Sequence, residues 1–100
     1  MNRYQLAADA AADLLEIVRY TRKKWGQAQA QRYREELDLG LQQLCLAPGR
    51  GRSRDAIAPD LRSFPVAHHV AFYVQRKGKV IILRIVHPRM NVAAVFEEGQ

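Results

Sequence analysis

One hundred residues, 48% of them hydrophobic and 26% charged, suffice for one domain with its own core, and this composition excludes a disordered or fibrous chain. A single cysteine, Cys45, excludes an internal disulfide and suits a reducing compartment. The net charge of +6 is uneven, with seven Lys/Arg against six Asp/Glu up to Pro48 and nine against four from Gly49 onward; such a basic half fits a polyanionic partner, or solubility alone.

At the N-terminus, MNRYQLAADAAADLL is interrupted by Asp9 and Asp13 and so lacks the apolar core of a signal peptide. The apolar run from Val80 to Leu83 is too short to cross a membrane. A soluble cytoplasmic protein with no membrane partner is expected. Residues 1–6 hold a first strand, because Tyr4 and Leu6 alternate with polar neighbours. Ala10, Leu14, Ile17, Val18, Thr21 and Trp25 then recur at spacings of three and four, one face of a helix, and Gly26 can take the positive φ that ends it. A second stripe, Ala30, Tyr33, Leu37, Leu41 and Leu44, runs to Pro48 and Gly49. Residues 8–47 therefore read as a helical hairpin.

GRGRSRD, residues 49–55, is a basic loop. Antiparallel strands are expected over residues 61–87. The first contains Pro65, which cannot donate to a ladder and marks an edge or a bulge. The last two form a hairpin around Gly78. Alternation groups Val70, Phe72 and Val74 with Ile81, Leu83 and Ile85 on a purely apolar face, expected against the helices. His69, Ala71 and Tyr73 with Val80, Ile82, Arg84 and Val86 form the other, expected to stay open as a groove for a partner. Residues 88–100 form a tail, and the whole chain, 1–100, reads as one α+β domain.

Chemistry is sparse. His68 and His69 are adjacent, so a strand would send them to opposite faces, and no spacing resembles a metal site. Neither metal nor cofactor is expected. Cys45 lies one residue past the second stripe and reads as a small buried hydrophobe. The loop lacks the Gly-Lys-Ser/Thr ending of a phosphate loop. General acid–base RNA cleavage needs cations to hold a phosphate and a proton carrier, for which Arg62, Arg84 and His87 are candidates. The alternative reading of Arg84 is a half-buried arginine paired to a carboxylate, and that of His87 a hydrogen-bonded residue at a strand end.

AAADLLEIVRYT followed by Trp25-Gly26, Tyr33 in the second helix, Pro48 with GRGRSRD, Leu61-Arg62-Ser63-Phe64, HHVAFYV and ILRIVHPRM together resemble the ParE branch of the RelE/ParE superfamily of bacterial toxins over nearly the whole chain. The resemblance implies an N-terminal strand and an αα-hairpin packed on a curved antiparallel sheet. It also implies a toxin of a type II toxin–antitoxin module that poisons DNA gyrase and blocks replication. A ParD-like antitoxin would neutralise it, binding operator DNA through its own N-terminal part and wrapping the toxin with its C-terminal segment. On that reading Arg62, Phe64, Tyr73, Ile82, Arg84 and Val86 receive the antitoxin, while His87, Arg89 and Met90 meet the target. RelE-type relatives instead cut ribosome-bound mRNA, which would make Arg62, Arg84 and His87 catalytic. The loop cations here are all arginines, poor general bases, which favours inhibition by binding. A nucleic-acid-binding module is a third reading, opposed by the lack of an aromatic ladder beside the basic loop. Ala7-Ala8, where relatives often carry a Ser/Thr-Pro helix start, weakens the first N-cap.

Overall fold

The computed structural model describes residues 3–97. Met1 and Asn2, which open the expected first strand, and residues 98–100 of the expected tail lie outside the described residues. β1 (Tyr4–Leu6) leads directly into α1 (Ala8–Trp25) and α2 (Gln27–Leu46). A 3-10 turn at Pro48–Arg50 follows, then β2 (Arg52–Ser53), β3 (Arg62–Val66), β4 (His69–Arg76), β5 (Lys79–Val86) and α3 (Val92–Glu97). The strands form one sheet in the order β1-β5-β4-β3-β2. β1 pairs parallel with β5, so the sheet is mixed rather than purely antiparallel. The basic loop supplies its short outer strand, Arg52–Ser53.

No side chain caps the start of α1. Instead Ala7 donates its N–H to the Ile82 carbonyl at 2.9 Å and accepts from Ala11 at 2.9 Å, so the residue that ends the ladder also starts the helix. Gly26, with φ 95, turns the chain from α1 into α2. The second stripe buries as its spacing requires: Ala30, Leu37, Leu41 and Leu44 are 3% exposed or less. The first stripe buries Ala10, but Trp25 at its end is 66% exposed.

The two sheet faces are the reverse of the expected arrangement. Ala71, Tyr73, Val80 and Ile82 lie under the helices with Leu37 and Leu41. The apolar face, with Phe72, Val74, Ile81 and Leu83, is covered by Val92, Val95 and Phe96 of α3 and by Ile57 and Ala58 of the loop before β3. Both faces are apolar enough to be buried, so alternation alone does not say which one the helices take. The polar atoms that made the first face look open are satisfied internally: the Tyr73 hydroxyl donates to the Pro48 carbonyl and accepts the Gly51 N–H at 3.1 Å. A β-bulge adds a second departure. Phe72 pairs with Arg84 while Tyr73 pairs with Ile82, leaving Leu83 as an extra residue in β5. Parity flips there, so Ile85 joins the helix side and Val86 the other.

Tyr73 also explains a glycine. A Cβ on Gly51 would sit 2.1 Å from the Tyr73 hydroxyl oxygen, whereas one on Gly49 would meet nothing within 4 Å. Gly51→Ala should therefore cost about 2 kcal/mol or more in urea unfolding, from overpacking and a displaced buried hydrogen bond. Gly49→Ala should change stability by less than about 0.5 kcal/mol. Equal effects at the two positions would refute this account of the loop.

Candidate functional site

The sequence candidates fall into three separate places. Arg84, on the bulged part of β5, is ion-paired to Asp13 of α1: Nε lies 2.7 Å from Oδ2 and Nη2 lies 3.1 Å from Oδ1. The same carboxylate accepts the Ile85 N–H at 2.9 Å. The pair is mostly shielded, with side-chain exposures of 22% and 17%. Arg84 is thus the carboxylate-paired arginine, not an open docking residue. Tyr73 and Ile82 are fully buried under the helices and Val86 is 5% exposed, so the expected antitoxin groove does not exist at these positions.

Arg62 and Phe64 share one side of β3 at the other end of the sheet. Arg62 donates Nη1 to the carbonyls of Gly51 at 2.7 Å and Gly49 at 3.3 Å, which holds the basic loop in place. The Arg50 guanidinium lies 5.2 Å from the centre of the half-buried Phe64 ring. Arg62, Arg84 and His87 are each turned to a different neighbour, and no common phosphate-holding point joins them.

The third place gathers the histidines. His68 sits in the turn between β3 and β4, next to Ala67 with φ 54, so it is not in a strand and does not oppose His69. Tyr33 of α2 stacks on His68 with ring centres 6.0 Å apart, and its hydroxyl accepts the His68 N–H at 2.9 Å. The same hydroxyl lies 2.6 Å from His69 Nδ1, and His69 meets His87 edge-on at 6.2 Å. The tautomer of His69 sets which of the two groups donates in this contact. Burial, and then the nearby His87 and His68, push the His69 pKa down, while burial pushes the Tyr33 phenol up. A tyrosine that resists ionisation beside a neutral histidine makes a clasp between α2 and the sheet rather than an ionised nucleophile. Cys45 packs half-buried against the core, and burial raises its thiol, which disfavours a reactive thiolate.

His87 begins the last turn. Its carbonyl accepts the Met90 N–H at 3.0 Å and its Nδ1 accepts the Arg89 N–H at 3.1 Å. The closed knuckle leaves Arg89 exposed and Met90 50% exposed. Among the described residues, no group of three or more His, Cys, Asp and Glu could hold a metal ion.

Asp13 and Tyr33 were missed as site-forming residues. Asp13 carried a usable signal: it stands three residues after Ala10 and one before Leu14, on the inward side of an otherwise apolar stripe. Such a carboxylate calls for a buried cation.

The depressed His69 value has a consequence for stability. Unfolded His69 titrates near 6.5, whereas the folded residue resists the proton to lower pH. The stability it contributes is therefore present above its unfolded value and is lost as pH falls through that region. Urea unfolding between about pH 7.5 and about pH 5.5 should show a falling stability whose slope is shallower in His69→Gln; an identical slope would contradict the assignment.

Relatives match this architecture along nearly all of its length. The family model described as "ParE toxin of type II toxin-antitoxin system, parDE" matches residues 4–92. Toxin ParE of Escherichia coli is 38% identical over 93 residues, covering 92% of this chain and 90% of that protein. Toxin ParE1 of Caulobacter vibrioides is 35% identical over 95 residues, covering 94% and 97%. A solved structure titled "Chromosomal ParDE TA system from P. aeruginosa" superposes with a TM-score of 0.70 at 21% identity, covering 87% of this chain and 98% of that one, and so shares the fold. No helix among the described residues is long and apolar enough to cross a membrane. The chain belongs to the ParE toxin family of type II toxin–antitoxin systems.

Proposed function

We propose that this chain inhibits by binding: it poisons DNA gyrase in the cytoplasm and is held in check by a ParD-like antitoxin. The observation that carries this reading is the family match from residue 4 to residue 92, shared with relatives named as ParE toxins. The separation of Arg62, Arg84 and His87 supports it over the ribonuclease alternative. A scissile phosphate needs its cations and its proton carrier at one point, and here the cations are committed to Gly51 and to Asp13.

The target contact is assigned to the knuckle from His87 to Met90. It presents a cation beside an adaptable apolar side chain on a turn closed by two hydrogen bonds, so docking costs little ordering of the backbone. For the antitoxin, Arg62 and Phe64 remain the accessible members of the expected set, joined by Arg50 over the Phe64 ring. An apolar anchor flanked by an acidic group would suit that strip.

Purified protein added to gyrase, relaxed plasmid and ATP should abolish supercoiling and leave linear DNA. Arg89→Glu combined with Met90→Glu should weaken this by about tenfold or more without unfolding the protein. Full supercoiling at saturating, folded protein would overturn the reading, and ribosome-dependent mRNA cleavage would replace it.

A further inference from the structure

The helical hairpin ends in a tip that is both cationic and aromatic. Residues 17–34 contain six Lys/Arg and no Asp/Glu, an excess equal to the net charge of the whole chain, +6. All six cations, Arg19, Arg22, Lys23, Lys24, Arg32 and Arg34, are exposed. Among the described residues Arg19 pairs with Glu16 at 3.6 Å, and no carboxylate pairs with Arg22, Lys23 or Lys24. Two large rings are exposed among them, Trp25 at 66% and Tyr20 at 61%. Lys24 holds its ammonium 5.7 Å from the Tyr20 ring centre and 5.8 Å from that of Trp25, which groups ring, cation and ring on one surface. Beside them lies a hollow of about 500 Å³ lined in part by Tyr20, Trp25, Tyr33, His68 and His87.

We infer that this tip is a docking site for single-stranded nucleic acid, with phosphates on Arg22, Lys23 and Lys24 and bases stacked on Trp25 and Tyr20. The cations alone would suit any polyanion. The interleaved rings favour one polyanion: carboxylate side chains offer no flat partner, and duplex bases have their faces already stacked, whereas an unpaired base has a free face for an indole or a phenol. The cations and rings lie on the hairpin, away from the Arg62–Phe64 strip; only the hollow beside them reaches His87, where the knuckle begins, and the inference does not depend on gyrase being the target.

Trp25 is the chain's single tryptophan, so its emission reports on this surface alone. Titrating the full chain with a single-stranded oligonucleotide of about 12 nucleotides should quench that emission saturably, with affinity falling steeply as salt rises. Lys23→Ala with Lys24→Ala should weaken binding by about tenfold or more and flatten the log–log salt slope by about 1.4. Trp25→Leu, followed by anisotropy of a labelled oligonucleotide, should weaken binding by about tenfold. Arg52→Ala with Lys79→Ala removes the same charge elsewhere and should leave binding within about twofold. All of these positions are exposed, and circular dichroism verifies that each variant is folded. The proposal is overturned if emission is unchanged at saturating oligonucleotide. It is also overturned if the Arg52/Lys79 variant loses as much affinity as the Lys23/Lys24 variant, or if polyglutamate or a duplex of the same length quenches equally well.

Discussion

One carboxylate organises the meeting of helices and sheet. β1 accompanies β5 only from Val80 to Ile82, and beyond that point β5 has an unpaired edge beside α1. Asp13 meets the need twice: it accepts the Ile85 N–H and binds the Arg84 guanidinium through two nitrogens. Arg84 in turn extends toward the Val95 carbonyl of α3 at 3.5 Å. A single partly buried pair thus joins the first helix, the bulged strand and the last helix. A charge-assisted, bidentate pair with its extra acceptor capacity used is the kind that holds its geometry, and removing one partner leaves the other desolvated.

This commitment decides where function can lie. An arginine that holds the frame is not available to hold a phosphate, and Arg62 is likewise occupied with loop carbonyls. Tyr33 and His69, the nearest approach to acid–base chemistry, form a clasp between α2 and the sheet. What the fold leaves free lies at its periphery: the knuckle after β5, the strip around Phe64, and the cationic tip of the hairpin. The inhibition by binding proposed above suits such a distribution, with a rigid centre and exposed, separately usable contacts.

Much of this was legible in the sequence. Length and periodicity located the N-terminal strand, both helices, the β4–β5 hairpin and the turn at Gly78, because amphipathic spacing and turn chemistry act locally. The second helix stripe predicted its buried residues, Ala30 to Leu44. The orientation of the sheet was not legible, because both of its faces are apolar and the satisfied hydroxyl of Tyr73 mimics an exposed polar position. The bulge at Leu83 was invisible for a similar reason: nothing in IILRIV distinguishes a regular strand from one carrying an extra residue. Two things escaped the periodicity: the partner of Arg84, because Asp13 lies 71 residues away, and the exposure of Trp25, which follows its stripe in spacing yet is 66% exposed. The histidines were misread because His68 lies in a turn, where strand alternation does not apply.

The central claim is that Arg84 stabilises the frame through Asp13 rather than meeting a partner. A double-mutant cycle in urea unfolding tests it most directly, with Asp13→Asn, Arg84→Met and the pair combined. Each single change should cost about 3 kcal/mol, because it strands a partly buried partner. The double should cost well under the sum, giving a coupling of about 2 kcal/mol or more. Additive losses, with a coupling near zero, would contradict the account and return Arg84 to the list of residues kept for contact with another molecule.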